Sequence, residues 1–238
     1  FEKIAESAIV REPPMVYVGS TNVDHWLPGF RGANDLAMSV QDPMVSVWIC
    51  NQSRVPAHYD FPTNIACSVV GHRRFTLFPP SELKNLYVGP IDLTPAGQAI
   101  SLVDFTEPDY DRFPKFKAAL ESAQVAELGP GDALLIPSMW WHEVEALDSL
   151  NVLVNYWWRN TPYYLGGPLN VLQHALLGLR DLPPEQRDVW RDLFEHYIFS
   201  PNESDFTHIP KVARGVLNPI DQVTATNLRN VLAGKLKN

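Results

Sequence analysis

His58-Tyr59-Asp60 and, far downstream, His142 are the residues whose types and spacing could do chemistry. Two imidazoles and one carboxylate form the facial triad that holds non-haem Fe(II) and leaves coordination positions open. With period two on a strand, His58 and Asp60 share a face while Tyr59 turns away. His-x-Asp alone is a weak signal, because any strand with alternating polar residues can produce it, and a single strand histidine is often a satisfied core residue. The second segment adds specificity. Pro130-Gly131-Asp132 is followed by Pro137 and then His142, as though a distant strand closed the same barrel and delivered the third ligand.

The elements that must position these residues change character once along the chain. Up to about Arg159 short strand-like runs dominate: Met15 to Val18, Met44 to Cys50, Asn64 to Val70, Arg73 to Phe78, Ala133 to Ile136, His142 to Ala146 and Asn151 to Trp158. Turn clusters such as Phe78-Pro79-Pro80 and Gly129-Pro130-Gly131 separate them. This is the pattern of a mainly β sandwich or jelly roll. A long excursion from Tyr87 to Glu121 interrupts it, with a helix expected over Pro114 to Ser122. Past Gly167 the apolar spacing becomes helical: Leu169, Leu172, His174, Ala175, Leu176 and Leu179 form one stretch. Pro183 and Pro184 open a second helix, with Trp190, Leu193, Phe194 and Tyr197 on one face, and Asp221 to Lys235 reads as a third. The expected division is a β-barrel over 1–166 and a helical region over 167–238.

Composition excludes several classes. Apolar residues make up 45% and charged residues 19% of 238, as in an ordinary globular protein. A net charge of −8 gives no general basic footprint, so nucleic acid is disfavoured as a partner. No run approaches the roughly 20 apolar residues of a membrane span, and no signal peptide is visible, so a soluble, cytoplasmic protein is expected. The first residue is Phe1 rather than Met, and further sequence upstream is expected. Cys50 and Cys67 lie in strand-like apolar runs and read as packing residues rather than a disulfide framework.

Val55-Pro56-Ala57-His58-Tyr59-Asp60, followed by Gly71-His72-Arg73-Arg74-Phe75-Thr76-Leu77-Phe78-Pro79-Pro80, resembles the cupin-like JmjC (cupin-8) oxygenases, a family that includes an asparaginyl hydroxylase. The resemblance continues through Val103-Asp104-Phe105, Pro108-Asp109-Tyr110, Arg112-Phe113-Pro114, Trp140-Trp141-His142 and Val154-Asn155-Tyr156-Trp157, covering roughly 43–159. It implies a double-stranded β-helix, a jelly roll of the cupin type, with Fe(II) as metal and 2-oxoglutarate and O2 as co-substrates. It also implies further structure ahead of the point where this chain starts.

Strand periodicity bears on the co-substrate residues. Arg73, Phe75 and Leu77 make the more apolar face of their strand, so Arg73 is expected to point inward, where an unpaired guanidinium is costly. The resemblance supplies a partner, the C5 carboxylate of 2-oxoglutarate, which the related hydroxylase holds with a Lys at the matching position; Arg suits bidentate carboxylate binding. The alternatives are that Arg73 turns to solvent or pairs with a structural acid such as Asp132. The family places asparagines near co-substrate and metal at the positions of Asn64 and Asn155, and Trp157 beside the metal; structural hydrogen bonds are the alternative for both amides. Val55 departs from the pattern, standing where the hydroxylase has a Thr that helps hold the co-substrate, with Tyr17 and Ser53 as possible replacements. His25, His72, His174, His196 and His208 lack ligand-like spacing, Glu143 and Glu145 should face away from the metal, and Trp140 and Trp141 read as wall or core.

The function implied is hydroxylation of a protein side chain or small metabolite, coupled to conversion of 2-oxoglutarate to succinate and CO2. Two other classes stay open: a metal-binding cupin that isomerises or only binds, and a catalytically silent interaction module. The apolar helix faces are expected to pack on the barrel or to pair two subunits as a homodimer.

Overall fold

The computed structural model describes all residues except 1, 8–9, 11–13, 40–41, 93–97 and 237–238. Two compact units result, Phe1–Arg159 and Asn160–Asn238. In the first, nine strands follow the expected β pattern: β1 (Tyr17–Asn22), β2 (Met44–Cys50), β3 (Ser53–Tyr59), β4 (Thr63–Val70), β5 (Arg73–Phe78), β6 (Gln124–Leu128), β7 (Ala133–Ile136), β8 (Trp141–Ala146) and β9 (Asn151–Trp158). They form a five-stranded sheet in the order β1-β2-β9-β4-β7 and a four-stranded sheet in the order β3-β8-β5-β6. All the pairings are antiparallel, and sequence-distant strands lie side by side, as in a mainly β jelly roll. Short helices accompany them: α1 (Glu2–Ser7), α2 (Val23–Trp26), α3 (Phe30–Asn34) and α4 (Phe116–Glu121).

The two sheets meet through their inner faces. Ala66 and Leu153 of the larger sheet pack with Phe75, Leu77 and Leu128 of the smaller one. Alternation on β5 is as expected: Arg73, Phe75 and Leu77 are buried, while Arg74 and Thr76 are only half-buried. Behind the smaller sheet, Tyr59 and Trp141 turn outward against Phe78, Leu86, Phe113 and Phe116, so much of the long excursion folds into a second core. Strands β3 and β6 were not resolved by the sequence pattern: Pro56 interrupts the first and Glu127 the apolar run of the second.

The second unit carries α5 (Pro168–Gly178), α6 (Pro184–Phe194) and α7 (Gln222–Lys235). Pro168 and Pro184 occupy first-turn positions where the missing N–H is harmless, and the Asp221 carboxylate accepts from Thr224 N at 2.7 Å to cap α7. No described helix is long and apolar enough to cross a membrane.

Two glycines separate conformational from steric need. Gly71, in the turn between β4 and β5, has φ +77°, and a Cβ there would sit 2.5 Å from Asn151 Oδ1 and 2.6 Å from Leu150 O. Gly131 has φ +96° but open space around it. Gly131→Ala should therefore cost only left-handed strain, about 1–2 kcal/mol, whereas Gly71→Ala adds a backbone clash and should cost at least about 3 kcal/mol. Urea unfolding of the two variants checks the order; equal losses would contradict it.

Candidate metal and anion site

The candidate ligand residues sit on two neighbouring strands. His58 on β3 lies directly opposite His142 on β8, Tyr59 opposite Trp141, and Asp60 follows at the end of β3. The imidazole centroids are 4.4 Å apart, and Asp60 Oδ2 is 3.7 Å from His142 Nε2. Ligand atoms from His58, Asp60 and His142 all lie within 4.8 Å of one another, a group that could hold a metal ion.

Local sequence prepares both imidazoles in the same way. The β3–β8 register slips between Val55 and His58, and at this bulge Pro56, on an edge strand, leaves its carbonyl to His58 Nδ1 at 2.9 Å. His142 Nδ1 meets Trp140 O at 3.0 Å. A carbonyl only accepts, so each ring carries its proton on Nδ1 and keeps the Nε2 lone pair for a metal. The turn before β8 ties the ligand strands together: Met139 N donates to Asp60 O at 2.9 Å and Ser138 Oγ to Phe61 O at 2.6 Å. Met139 adopts φ +68° to do so, a left-handed conformation uncommon outside glycine.

A cavity of about 230 Å³ opens beside His58, Asp60 and His142. Arg73, Asn64, Asn155 and Trp157 all line it, as do Val55 and Tyr17, whereas Ser53 does not. Arg73 is 3% exposed. It forms no salt bridge among the described residues, and its hydrogen bond runs to Cys50 Sγ at 3.4 Å, leaving Nε without a partner. Asp132 accepts instead from Gly129 N, away from this cavity. Asn155 Oδ1 accepts from Trp48 Nε1 at 2.7 Å, and since the indole only donates, the Asn155 amide nitrogen is the group left for a ligand. Asn64 and Trp157 are cross-strand neighbours, and Asn64 Oδ1 and Trp157 Nε1 are both buried without a partner. Such atoms cost about 1–3 kcal/mol each when unsatisfied, which is what a ligand can recover.

A scan against family models matches residues 1–164 to a cupin-like domain. The chain belongs to the cupin-like domain family. Among curated relatives, "Lysine-specific demethylase JMJ31" of Arabidopsis thaliana is 34% identical over 119 residues, 49% of this chain and 21% of that protein. "tRNA wybutosine-synthesizing protein 5" of Danio rerio is 29% identical over 166 residues, 63% of this chain and 45% of that protein. The chain thus spans less than half the length of these relatives. Among solved structures, YcfD, described as a ribosomal oxygenase from Escherichia coli, aligns with a TM-score of 0.31 and 20% identity over 66% of this chain and 39% of that one. The cupin-like domain therefore carries a His-Asp-His cluster that could hold a metal ion.

Electrostatics in the cupin-like domain fit a cation at one end and an anion at the other. Burial, followed by the charge of His58, pushes the His142 imidazole down to about 3. Burial raises the Asp60 carboxyl, against the opposing influence of His58 and a hydrogen bond from Gln98. A divalent ion would favour the neutral imidazole and the ionised carboxylate alike. At the other end, burial pushes the Tyr17 hydroxyl up to about 12, with Arg73 pulling it down, so it remains a neutral donor at pH 7. Glu143 and Glu145 point away from the cavity as expected, toward Arg54 at 3.7 and 3.3 Å, and burial lifts Glu143 to about 7.

Trp48, Gln98 and Ile100 also line the cavity and were not anticipated. Trp48 lies on β2, whose run of buried residues hides the alternation that would have exposed it; Gln98 and Ile100 lie in the excursion, which has no period. His142 gives a pH test. The unfolded chain protonates this imidazole near 6.5 and the folded one only near 3, so its stability contribution at pH 7 is lost as pH falls between those values. Metal-free protein should lose unfolding free energy over this interval more steeply than His142→Leu does, as measured by urea titration at several pH values. Parallel profiles would contradict it.

Proposed function

We propose that this chain is an Fe(II)- and 2-oxoglutarate-dependent oxygenase, a hydroxylase acting on a protein side chain or a small metabolite. The observation that carries this reading is Arg73: a buried guanidinium with no carboxylate partner among the described residues, in the same cavity as His58, Asp60 and His142. Two nitrogens and one carboxylate with open positions suit non-haem Fe(II). A dicarboxylate suits the rest, because it can meet a metal at one end and a bidentate cation at the other.

The residues divide the work. His58, Asp60 and His142 would hold the iron through Nε2 and carboxylate oxygen, with Pro56 and Trp140 carbonyls fixing the rings. Arg73 would receive the distal carboxylate of 2-oxoglutarate, and Tyr17, within its electrostatic reach, would add the hydroxyl that Val55 lacks. Asn155, Asn64 and Trp157 would contact co-substrate or metal-bound groups through their available polar atoms. Phe75, Leu153, Val144 and Ile100 keep the cavity apolar, which strengthens these charge contacts. When bound, the iron would supply O2 activation coupled to oxidative decarboxylation of 2-oxoglutarate.

The prime substrate is the least constrained element. The relatives' names refer to lysine demethylation and to tRNA, and the net charge of −8 favours a protein or metabolite over nucleic acid here. A homodimer through the C-terminal helices is part of the proposal: α5 and α6 bury no residue and expose Leu172, Leu177, Val189 and Trp190. Light scattering should give twice the chain mass, and a monomer at micromolar concentration would exclude it.

Anaerobic titration of Fe(II)-loaded protein with 2-oxoglutarate should produce a visible metal-to-ligand charge-transfer band. Arg73→Ala should weaken that binding at least about 30-fold, from a loss of about 2–5 kcal/mol. Iron binding without the band would favour a plain metal-binding cupin, and no iron binding an interaction module.

A further inference from the structure

Asp60 presents its two oxygens to different neighbours. Oδ2 lies 3.7 Å from His142 Nε2. Oδ1 accepts a hydrogen bond from Gln98 Nε2 at 3.1 Å. Gln98 lines the cavity and belongs to the excursion, not to either ligand strand. The excursion is itself anchored beside it: Ser101 N donates to Ala57 O at 2.8 Å, Ser101 Oγ to Leu86 O at 2.7 Å, and Val88 bridges Ser101. The carboxamide thus reaches Asp60 from a segment bonded to the strand that carries His58.

We infer that Gln98 is a positioning residue that makes Asp60 a one-oxygen ligand and so preserves an open coordination position. This rests on the metal-centre reading of His58, Asp60 and His142. A free carboxylate can turn about its Cβ–Cγ bond and grip a cation with both oxygens, which hard divalent ions accept readily. Such a grip takes one of the three positions that an octahedral ion keeps beyond two imidazoles and one oxygen. A chelating co-substrate and one further ligand need all three. Gln98 opposes the rotation by holding Oδ1 with an N–H that cannot ligate metal, since an amide nitrogen is a donor only. Asp60 is 9% exposed, and a buried carboxylate oxygen needs a partner, which the Gln98 amide supplies to Oδ1.

The test uses Mn(II), whose water-proton relaxivity counts bound waters, on wild type, Gln98→Met and Gln98→Ala. Met keeps the length of the side chain without the donor; Ala removes both. Thermal unfolding of the metal-free proteins gives an independent reading of any structural damage. Wild type should bind Mn(II) with the relaxivity of three waters, and both variants should bind it with two, about a one-third loss, while metal-free midpoints stay close to wild type. Unchanged relaxivity in the variants would overturn the role of Gln98 and leave the metal centre intact. Failure of wild type to bind Mn(II) would overturn the metal centre and the inference with it. A relaxivity loss in Ala alone, accompanied by a lowered midpoint, would assign Gln98 to packing and likewise overturn the role.

Discussion

A buried guanidinium cannot be left alone at low dielectric: taking it out of water costs several kcal/mol, and only a partner of opposite charge or a dense set of hydrogen bonds returns that. Arg73 has neither from the described residues, only a thiol at 3.4 Å. Its position is fixed by the sheet rather than by choice of rotamer, because Phe75 and Leu77 on the same face of β5 are core residues and β5 is clamped between β6 and β8. The cavity around it is short of negative charge at that end and holds its carboxylate, Asp60, near the histidines. On the proposed reading, an apolar space with the Arg73 guanidinium at one end and a cluster that could hold a metal at the other calls for a ligand that is anionic at both ends.

The metal cluster depends on the same sheet. His142 stands opposite Leu77 on β5 and opposite His58 on β3, so a single strand, β8, sets the distance from the His-Asp-His cluster to Arg73. Arg73 lies four residues from Leu77, roughly 13 Å along the strand at 3.3 Å per residue. Two backbone carbonyls orient the imidazoles, and one strained turn at Met139 ties the loops that deliver Asp60 and His142. Ligand placement is thus a property of backbone register and turns, which are stiff, and less of long side chains, which are not.

Much of this was legible in the sequence because it obeys period two. His58 with Asp60, Arg73 with Phe75 and Leu77, and Asn155 with Leu153 and Trp157 alternate cleanly, and the structure gathers all of these except Leu77, which packs in the core, around one cavity. Asn64, Ala66 and Ser68 likewise share a buried face. What escaped lies where period fails. β3 contains Pro56 and a bulge, so its strand character was visible only through the His-x-Asp pair. Trp48 sits in a run buried from both sides, and Gln98 in an aperiodic excursion whose meeting with Asp60 is purely tertiary. Tyr17 was nameable as a hydroxyl donor but not placeable, since the pairing of β1 with β2 has no local signature.

Crystals grown with Mn(II) and 2-oxoglutarate, with anomalous scattering to locate the metal, test the central claim most directly. The account predicts one anomalous peak among His58, Asp60 and His142, with continuous ligand density from that peak to the Arg73 guanidinium. A peak elsewhere, or Arg73 paired with a side chain of the protein while the ligand is absent from the cavity, would contradict it.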